Sequence, residues 1–568
     1  MKKNKLKIGL LISSYRVQAW FAKCVEQLLD GEHARVELVI IRDENPEAAD
    51  KTQLKADVLK KSKKLCLALF NKTADITYRA LMEKHPEITD AGALTDLRPA
   101  LAHVPVTSLS PQNSQGRFDD SQLRQIGNSG LDVIICDNPG GLSGEILTAA
   151  RHGVWSLQYG ENQLRRAGSP GYWQALGDWS EASEVMLVRL TPENENNQVL
   201  YRSYSAADHM SFTHHKNSEY WKASAFVARV LNKLQDMGEE AFYREIATDN
   251  LHPDFNSNRT FTAPTAKEKF KITGKKLQDK LNIFLKKSLY YQQWFLLYDL
   301  NPGLSNRFSR YKKIMPPKDR FWADPHIIFN NDKYYIFIEE YMQASKKGHI
   351  SVIEMDRQGR HKFPVKVLEK DHHLSYPYVF EAGGDYYMIP ETASNRTIEL
   401  YKSSQFPFKW EWQMNLMEDV YAVDTTLYFD RDRWWLFANM VETQGASSLD
   451  ELFIFYSDDF RSTKWQPHKQ NPVISDVRKA RPAGAIFEMN GNLYRPSQNC
   501  AHRYGYGFNI NHITRLDPEE YREVMVSQVK PNWQPDLQAT HTFNKTGELQ
   551  IIDALASKFK FGKNSDLS

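Results

Sequence analysis

Cysteine is scarce in this chain. Four residues, Cys24, Cys66, Cys136 and Cys500, are scattered over 568 positions, and no two form a CxxC pair. A disulfide framework and a zinc site of the usual spacing are therefore excluded, and a reducing compartment fits best. A charge excess of one sign is also lacking. The 73 basic residues nearly cancel the 70 acidic ones, leaving +3, which is no footprint for a nucleic-acid partner. No apolar run approaches the roughly 18 residues a membrane-spanning helix needs. The opening MKKNKLKIGLLISSYRVQAWF begins basic and turns apolar, but its apolar run is short and lacks a small-residue cleavage site. We read it as a first buried strand rather than a signal peptide, which implies a cytoplasmic location. No GxGxxG follows that strand, so the dinucleotide fingerprint is absent. The histidine pairs His214-His215 and His372-His373 do not bring a ligand set of metal-site spacing, and no metal is expected.

The first half alternates strand and helix patterns. KIGLLIS (7–13), VELVII (36–41), LDVIICD (131–137) and GVWSLQ (153–158) read as strands. Residues 15–30, 52–70, 76–84 and 142–151 read as helices, and 217–247 as a helix pair or one long helix. This alternation predicts an open α/β sheet with right-handed crossovers over residues 1–249. Residues 250–289 read as a linker with a basic amphipathic helix. Its lysine-rich stretch, 267–287, is either a solvated helix face or a peripheral contact with an anionic surface at the inner membrane face.

From about residue 290 the character changes. Five segments pair a short strand, a polar turn and an aromatic-rich strand: ADPHIIFNNDKYYIFIEE, YPYVFEAGGDYYMIPE, VDTTLYFDRDRWWLFAN, PAGAIFEMNGNLYRPSQ and THTFNKTGELQIIDA. Their second strands begin at Tyr334, Tyr386, Trp434, Leu493 and Leu549, which are 52, 48, 59 and 56 residues apart. A period near 50 leaves room for four strands per unit. We therefore expect an all-β five-bladed propeller over 290–560. The innermost strand of each blade lines the channel, which nominates Asp324, Tyr376 to Glu381, Asp424, Arg481 and His541 as centre-facing. Glu340, Glu391, Arg495 and Gln498 are further candidates, and His373 precedes the second blade. Tyr504, Tyr506 and Trp322 offer ring faces for sugars. Carboxylates converging on a channel supply the acid and the base that glycosidic chemistry needs.

FWADPHIIF, KGHI, HLSYPYVFE, YYMIPET, VDTTLYF, WWLFAN, ARPAGAIF and YRPSQ together resemble the propeller of plant glucosamine inositolphosphorylceramide transferases, which is similar in turn to family 43 glycosidases. That resemblance implies Asp324 as general base and Asp424 as the residue that tunes the acid. The glycosidase acid is a glutamate at the start of the fourth blade, where this chain reads Arg481-Pro482-Ala483-Gly484. Glu381 or Glu391 would then substitute as acid, or Arg481 and Arg495 would hold a phosphate.

In the first half, GVWSLQYGENQLRRAGSPGYWQAL with VMLVRLTPENENNQVLYRSYS resembles the formyltransferases, which are Rossmann-like. The resemblance places Ser156, Gln158 and Glu195 where those enzymes carry their Asn, His and Asp. Glutamine is no base at neutral pH, so the site reads as degenerate, and neither N-formylation nor folate binding is expected. The sequence thus implies a two-domain carbohydrate-active enzyme of surface-glycan or glycolipid biosynthesis. It would transfer a sugar at the propeller centre from an activated, nucleotide-linked donor, with no other cofactor. A family 43-like hydrolase, a non-catalytic glycan-binding scaffold and an N-terminal sugar N-formyltransferase are the alternatives.

Overall fold

The computed structural model describes residues 4–42, 90–109, 118–139, 142–159, 182–192, 197–206, 212–251, 278, 282, 285–286 and 288–560. The helices expected at 52–70 and 76–84, nearly all of the basic stretch 267–287, and Glu195 lie outside them. The chain divides into two compact units, drawn mainly from residues 1–276 and 277–568.

The first unit is built on a seven-stranded sheet in the order Val106–Leu109, Ala34–Arg42, Leu6–Ile12, Val133–Cys136, Val154–Tyr159, Ala182–Arg189, Gln198–Ala206. Neighbours among the first five are parallel. Ala182–Arg189 runs antiparallel to Val154–Tyr159, so the sheet is mixed. The apolar runs Leu10–Ile12 and Val133–Cys136 are buried on both faces, as central parallel strands require. One expected helix, 142–151, is instead a single 3-10 turn, Gly144–Thr148. Gly144 at φ 79° and Gly153 at φ 75° bracket it and prevent a longer helix. The stretch 217–247 belongs to three helices, Phe212–Ala223, Phe226–Met237 and Glu239–Asp249, the last two separated at Gly238.

The second unit is a five-bladed propeller. Blade 1 runs through Arg320–Asn330, Lys333–Met342, Lys347–Asp356 and Val365–Leu368. Blade 2 takes Ser375–Ala382, Asp385–Thr392, Thr397–Gln405 and Lys409–Glu418. Blade 3 takes Ala422–Asp430, Arg433–Met440, Glu451–Ser457 and Gln466–Pro467. Blade 4 takes Phe487–Met489, Asn492–Asn499, Gly507–Leu516 and Tyr521–Val529. Blade 5 is assembled from both ends of the domain. Phe543–Thr546 and Leu549–Phe559 supply its inner strands, and Tyr290–Leu300 and Lys312–Ile314 its outer ones. Tyr290–Leu300 pairs with Leu549–Phe559 along its whole length, which closes the ring.

The inner hairpins of blades 1 to 4 turn on consecutive left-handed residues: Asn331-Asp332, Gly383-Gly384, Arg431-Asp432 and Asn490-Gly491. Such turns match the right-handed twist of the flanking strands. Apolar side chains then pack between neighbouring blades. Phe337, Ile350 and Val352 of blade 1 form one cluster with Val379, Met388 and Tyr401 of blade 2.

Candidate active site at the propeller centre

Each inner strand breaks its ladder near its start. The register shifts between Ala323 and His326, Ser375 and Tyr378, and Val423 and Thr426. Inside each break one residue is left-handed: Asp324 at φ 52°, Tyr376 at 40° and Asp424 at 53°. A bulge of this kind re-aims one side chain, and Asp tolerates the conformation better than Tyr does. Arg481 and His541 stand at the matching place in blades 4 and 5. All five are buried, and hydrogen bonds and ion pairs join them across blades.

Asp324 is held from two neighbouring blades. Its Oδ2 accepts the backbone N–H of Tyr376 at 3.2 Å, and its Oδ1 accepts the Thr542 hydroxyl at 3.0 Å. His541 Nε2 lies 3.4 Å from Oδ1. Burial, with Asp424 and Asp553 close by, pushes the Asp324 carboxyl up to about 6, although His541 opposes it. Across the ring, Arg481 Nε donates to Asp424 Oδ2 at 2.5 Å and Nη2 to Oδ1 at 3.3 Å. Gln498 Nε2 donates to the same Oδ2 at 2.7 Å.

A second layer stands behind the first. The residues preceding the three left-handed positions pair across their hairpins with Glu339, Glu391 and Asn439. Glu391 Oε2 accepts the backbone N–H of Asp424 at 3.3 Å and faces Arg481 Nη2 at 3.5 Å. Burial first, and then the Asp424 charge, raise its carboxyl to about 8, against the pull of Arg481. A carboxyl raised to about 8 keeps its proton at neutral pH, as a general acid requires. Glu339 is raised well above the usual range by burial and by Asp324, Glu391, Asp553 and Asp424. It faces His373 Nε2 at 3.4 Å, which puts the half-exposed His373 next to the site.

Other sequence candidates fall elsewhere. Glu381 is exposed at the turn end of its strand, roughly 16 Å from Tyr376 at about 3.3 Å per residue, so it is not a central acid. Glu340 points away from the channel, because neighbours along a strand face opposite sides. It binds Arg320, Trp322, His349 and Ser351, and these hydrogen bonds overcome its burial and lower its carboxyl to about 2. Trp322 is thereby buried in a structural network rather than offered to a sugar. Arg495 spends its donors on Glu523 and on the carbonyls of Lys479 and Ala480. Four of its five donors are thus engaged and the side chain is buried, so it is not offered to a phosphate. Arg481 already meets Asp424, Glu391 and the Tyr504 hydroxyl, with the Tyr504 ring 4.8 Å from its guanidinium carbon. Tyr506 packs against His502. In the first unit, Ser156 donates its hydroxyl to the Cys136 carbonyl, and Gln158 sits two residues along the same strand.

Sequence reasoning missed Glu339, Asp553, Thr542 and Trp294. Glu339 occupies the same hairpin position, seven residues past the turn, as Glu391 and Gln498, and the hairpin register is what singles it out from Glu340. Asp553 bonds the backbone N–H groups of Asp324, His541 and Thr542. Asp324, His541 and Asp553 bring polar atoms within 4.8 Å of one another. Both nitrogens of His541 face carboxylates, Nδ1 that of Asp553 and Nε2 that of Asp324.

Residues 311–546 match the family model described as Glucosamine inositolphosphorylceramide transferase 1, N-terminal. Blades 1 to 4 and the start of blade 5 lie within that match. Glucosamine inositolphosphorylceramide transferase 1 of Oryza sativa subsp. japonica is 34% identical over 210 residues, covering 36% of this chain and 28% of the rice protein. The Arabidopsis thaliana protein of the same name is 33% identical over 209 residues, 36% of this chain and 27% of its own length. The chain therefore spans under a third of the curated relatives it matches. Solved structures similar to it include the catalytic domain of Coprinopsis cinerea GH62 alpha-L-arabinofuranosidase (TM-score 0.33, 10% identity, 47% of this chain and 96% of that one). Another is the Bombyx mori GH32 beta-fructofuranosidase (TM-score 0.32, 14% identity, 49% of this chain and 61% of that one).

Proposed function

We propose that this protein is a glycosyltransferase of glycolipid or surface-glycan biosynthesis, acting at the propeller centre on a sugar carried by an activated, nucleotide-linked donor. The observation that carries the reading is a pair of buried carboxyls in one ring, both raised but to different extents. Asp324 ionises above about 6 and can take the proton of an acceptor hydroxyl. Glu391 keeps its proton to about 8 and can give it to the leaving oxygen. Burial and then the Asp424 charge raise Glu391, and Arg481 contacts both carboxyls. The match of the propeller to transferases named for glucosamine and inositolphosphorylceramide supports a sugar donor and a lipid-linked acceptor.

The same pair would hydrolyse a glycoside if water replaced the acceptor, so hydrolysis is the second reading. In this proposal the first unit is a binding scaffold rather than an active formyltransferase, since Gln158 stands where a base is needed. Peripheral contact with an anionic membrane surface is a further part of it, supported by the lysines of 267–287. Among the described residues no helix is long and apolar enough to cross a membrane.

Incubating the purified chain with nucleotide-activated sugars, with and without inositol-phosphate lipid acceptors, tests the proposal. Mass spectrometry should find a glycosylated lipid only when the acceptor is present, and Asp324→Asn should reduce it by roughly 10²–10⁴-fold. Sugar release without acceptor would favour hydrolysis. Product formation undiminished in Asp324→Asn would remove the propeller centre from the reaction.

A further inference from the structure

The two strands that close the ring each bring one residue to His541. From Leu549–Phe559 comes Asp553, which has no exposed surface. Its Oδ2 stands 2.7 Å from His541 Nδ1, and its Oδ1 accepts the backbone N–H groups of His541 at 2.9 Å and Thr542 at 3.1 Å. From Tyr290–Leu300 comes Trp294, stacked on the imidazole with centroids 4.3 Å apart and planes 25° apart. Two other neighbours confine the ring. Tyr504 meets it edge-on at 5.4 Å, and Gly505 lies so close that a Cβ there would come within 3.0 Å of His541 Cβ. The second nitrogen, Nε2, faces Asp324 Oδ1 at 3.4 Å.

An imidazole between two carboxylates is best satisfied when both nitrogens carry protons, and an indole face adds attraction for the cation. The charged groups around it are Asp553 on the closing strand, Asp324 in blade 1 and Asp424 in blade 3. Arg481 lies behind Tyr504, and Glu339 of blade 1 is itself raised, by burial and then by Asp324. A cation at His541 offsets the like charges that oppose ionisation of Asp324.

We propose that Asp553 and Trp294 are positioning residues that hold His541 as an imidazolium and thereby keep Asp324 ionised as the base. Neither lies within residues 311–546, so the site is completed only where the ring closes. The charge state stands on this geometry; its consequence for turnover rests on the function proposed above.

Imidazole nitrogen and carbon shifts of the isotope-labelled full chain test it, with the His541 signals identified by their loss in His541→Gln. In the wild type His541 should be protonated at pH 7.5, in line with the rise to about 9 that its carboxylates impose against burial. In Asp553→Asn it should be neutral at that pH. In Trp294→Leu its titration should move down, and in Trp294→Phe by less. A neutral His541 in the wild type, or one equally protonated in Asp553→Asn and Trp294→Leu, overturns the proposal. If Asp553→Asn does not fold by circular dichroism, the two Trp294 variants decide. With a turnover assay, both lesions should raise the acid limb of kcat/KM by about one pH unit, roughly a tenfold loss well below that limb with little change at pH 8. An unmoved limb overturns the link to Asp324. An imidazolium in a chain that turns over nothing overturns the function but not the charge state.

Discussion

Glu391 shows how one side chain acquires a role from its surroundings. Its ordinary carboxyl would ionise near 4.5, and in the folded chain it does so near 8. The folded state therefore keeps a proton that the unfolded chain releases. Stability tied to this group is complete below about 4.5 and is lost as pH rises through about 8. Thermal unfolding of Glu391→Gln should thus gain on the wild type as pH rises from 5 to 9, by circular dichroism, because the amide has no charge to bury. A pH-independent difference in Tm would contradict the assigned proton. Glu391 was legible in the sequence because IPET ends the second strand of its unit. Glu339 was not, because IEE offers two glutamates and only the hairpin register separates the channel-facing one from its neighbour. Arg495 misled for a related reason: an arginine near the site reads as an anion holder until its partner Glu523, 28 residues away, is seen.

Strand geometry explains why the ring exists at all. Periodicity and turn residues reveal hairpins, and the five-unit repeat was legible from them alone. The bulges were not, since no sequence period marks a left-handed Asp324 or Tyr376. The fifth blade was legible only in part. Its inner hairpin follows the repeat, but its outer strands come from residues some 250 positions earlier, and local pattern carries no record of that pairing. In the first unit, alternation foretold a sheet, and two glycines undid one expected helix. Turn chemistry offers a test at this level. Arg431 and Asp432 hold φ 51° and 67° without the glycine such turns favour. Replacing the pair by Asn-Gly should stabilise blade 3 by about 0.5–1 kcal/mol, measured by denaturant unfolding, and leave ligand binding unchanged. A loss of stability would mean that the two side chains contribute more than their conformations cost.

Across the whole propeller, one residue from each blade enters a single network of ionisable groups. Burial first, and then neighbouring charges, raise Asp324 and Glu391, and closing the ring puts Asp553 and Trp294 among them. A site of this kind titrates as a cluster. The decisive measurement is the pH dependence of kcat/KM for the glycosyl transfer proposed here. Activity should need Asp324 ionised and Glu391 protonated, giving a bell with limbs near 6 and near 8. Glu391→Gln should lower the maximum and erase the alkaline limb. A profile flat from pH 5 to 9, or an alkaline limb that survives in Glu391→Gln, would contradict the assignment of base and acid.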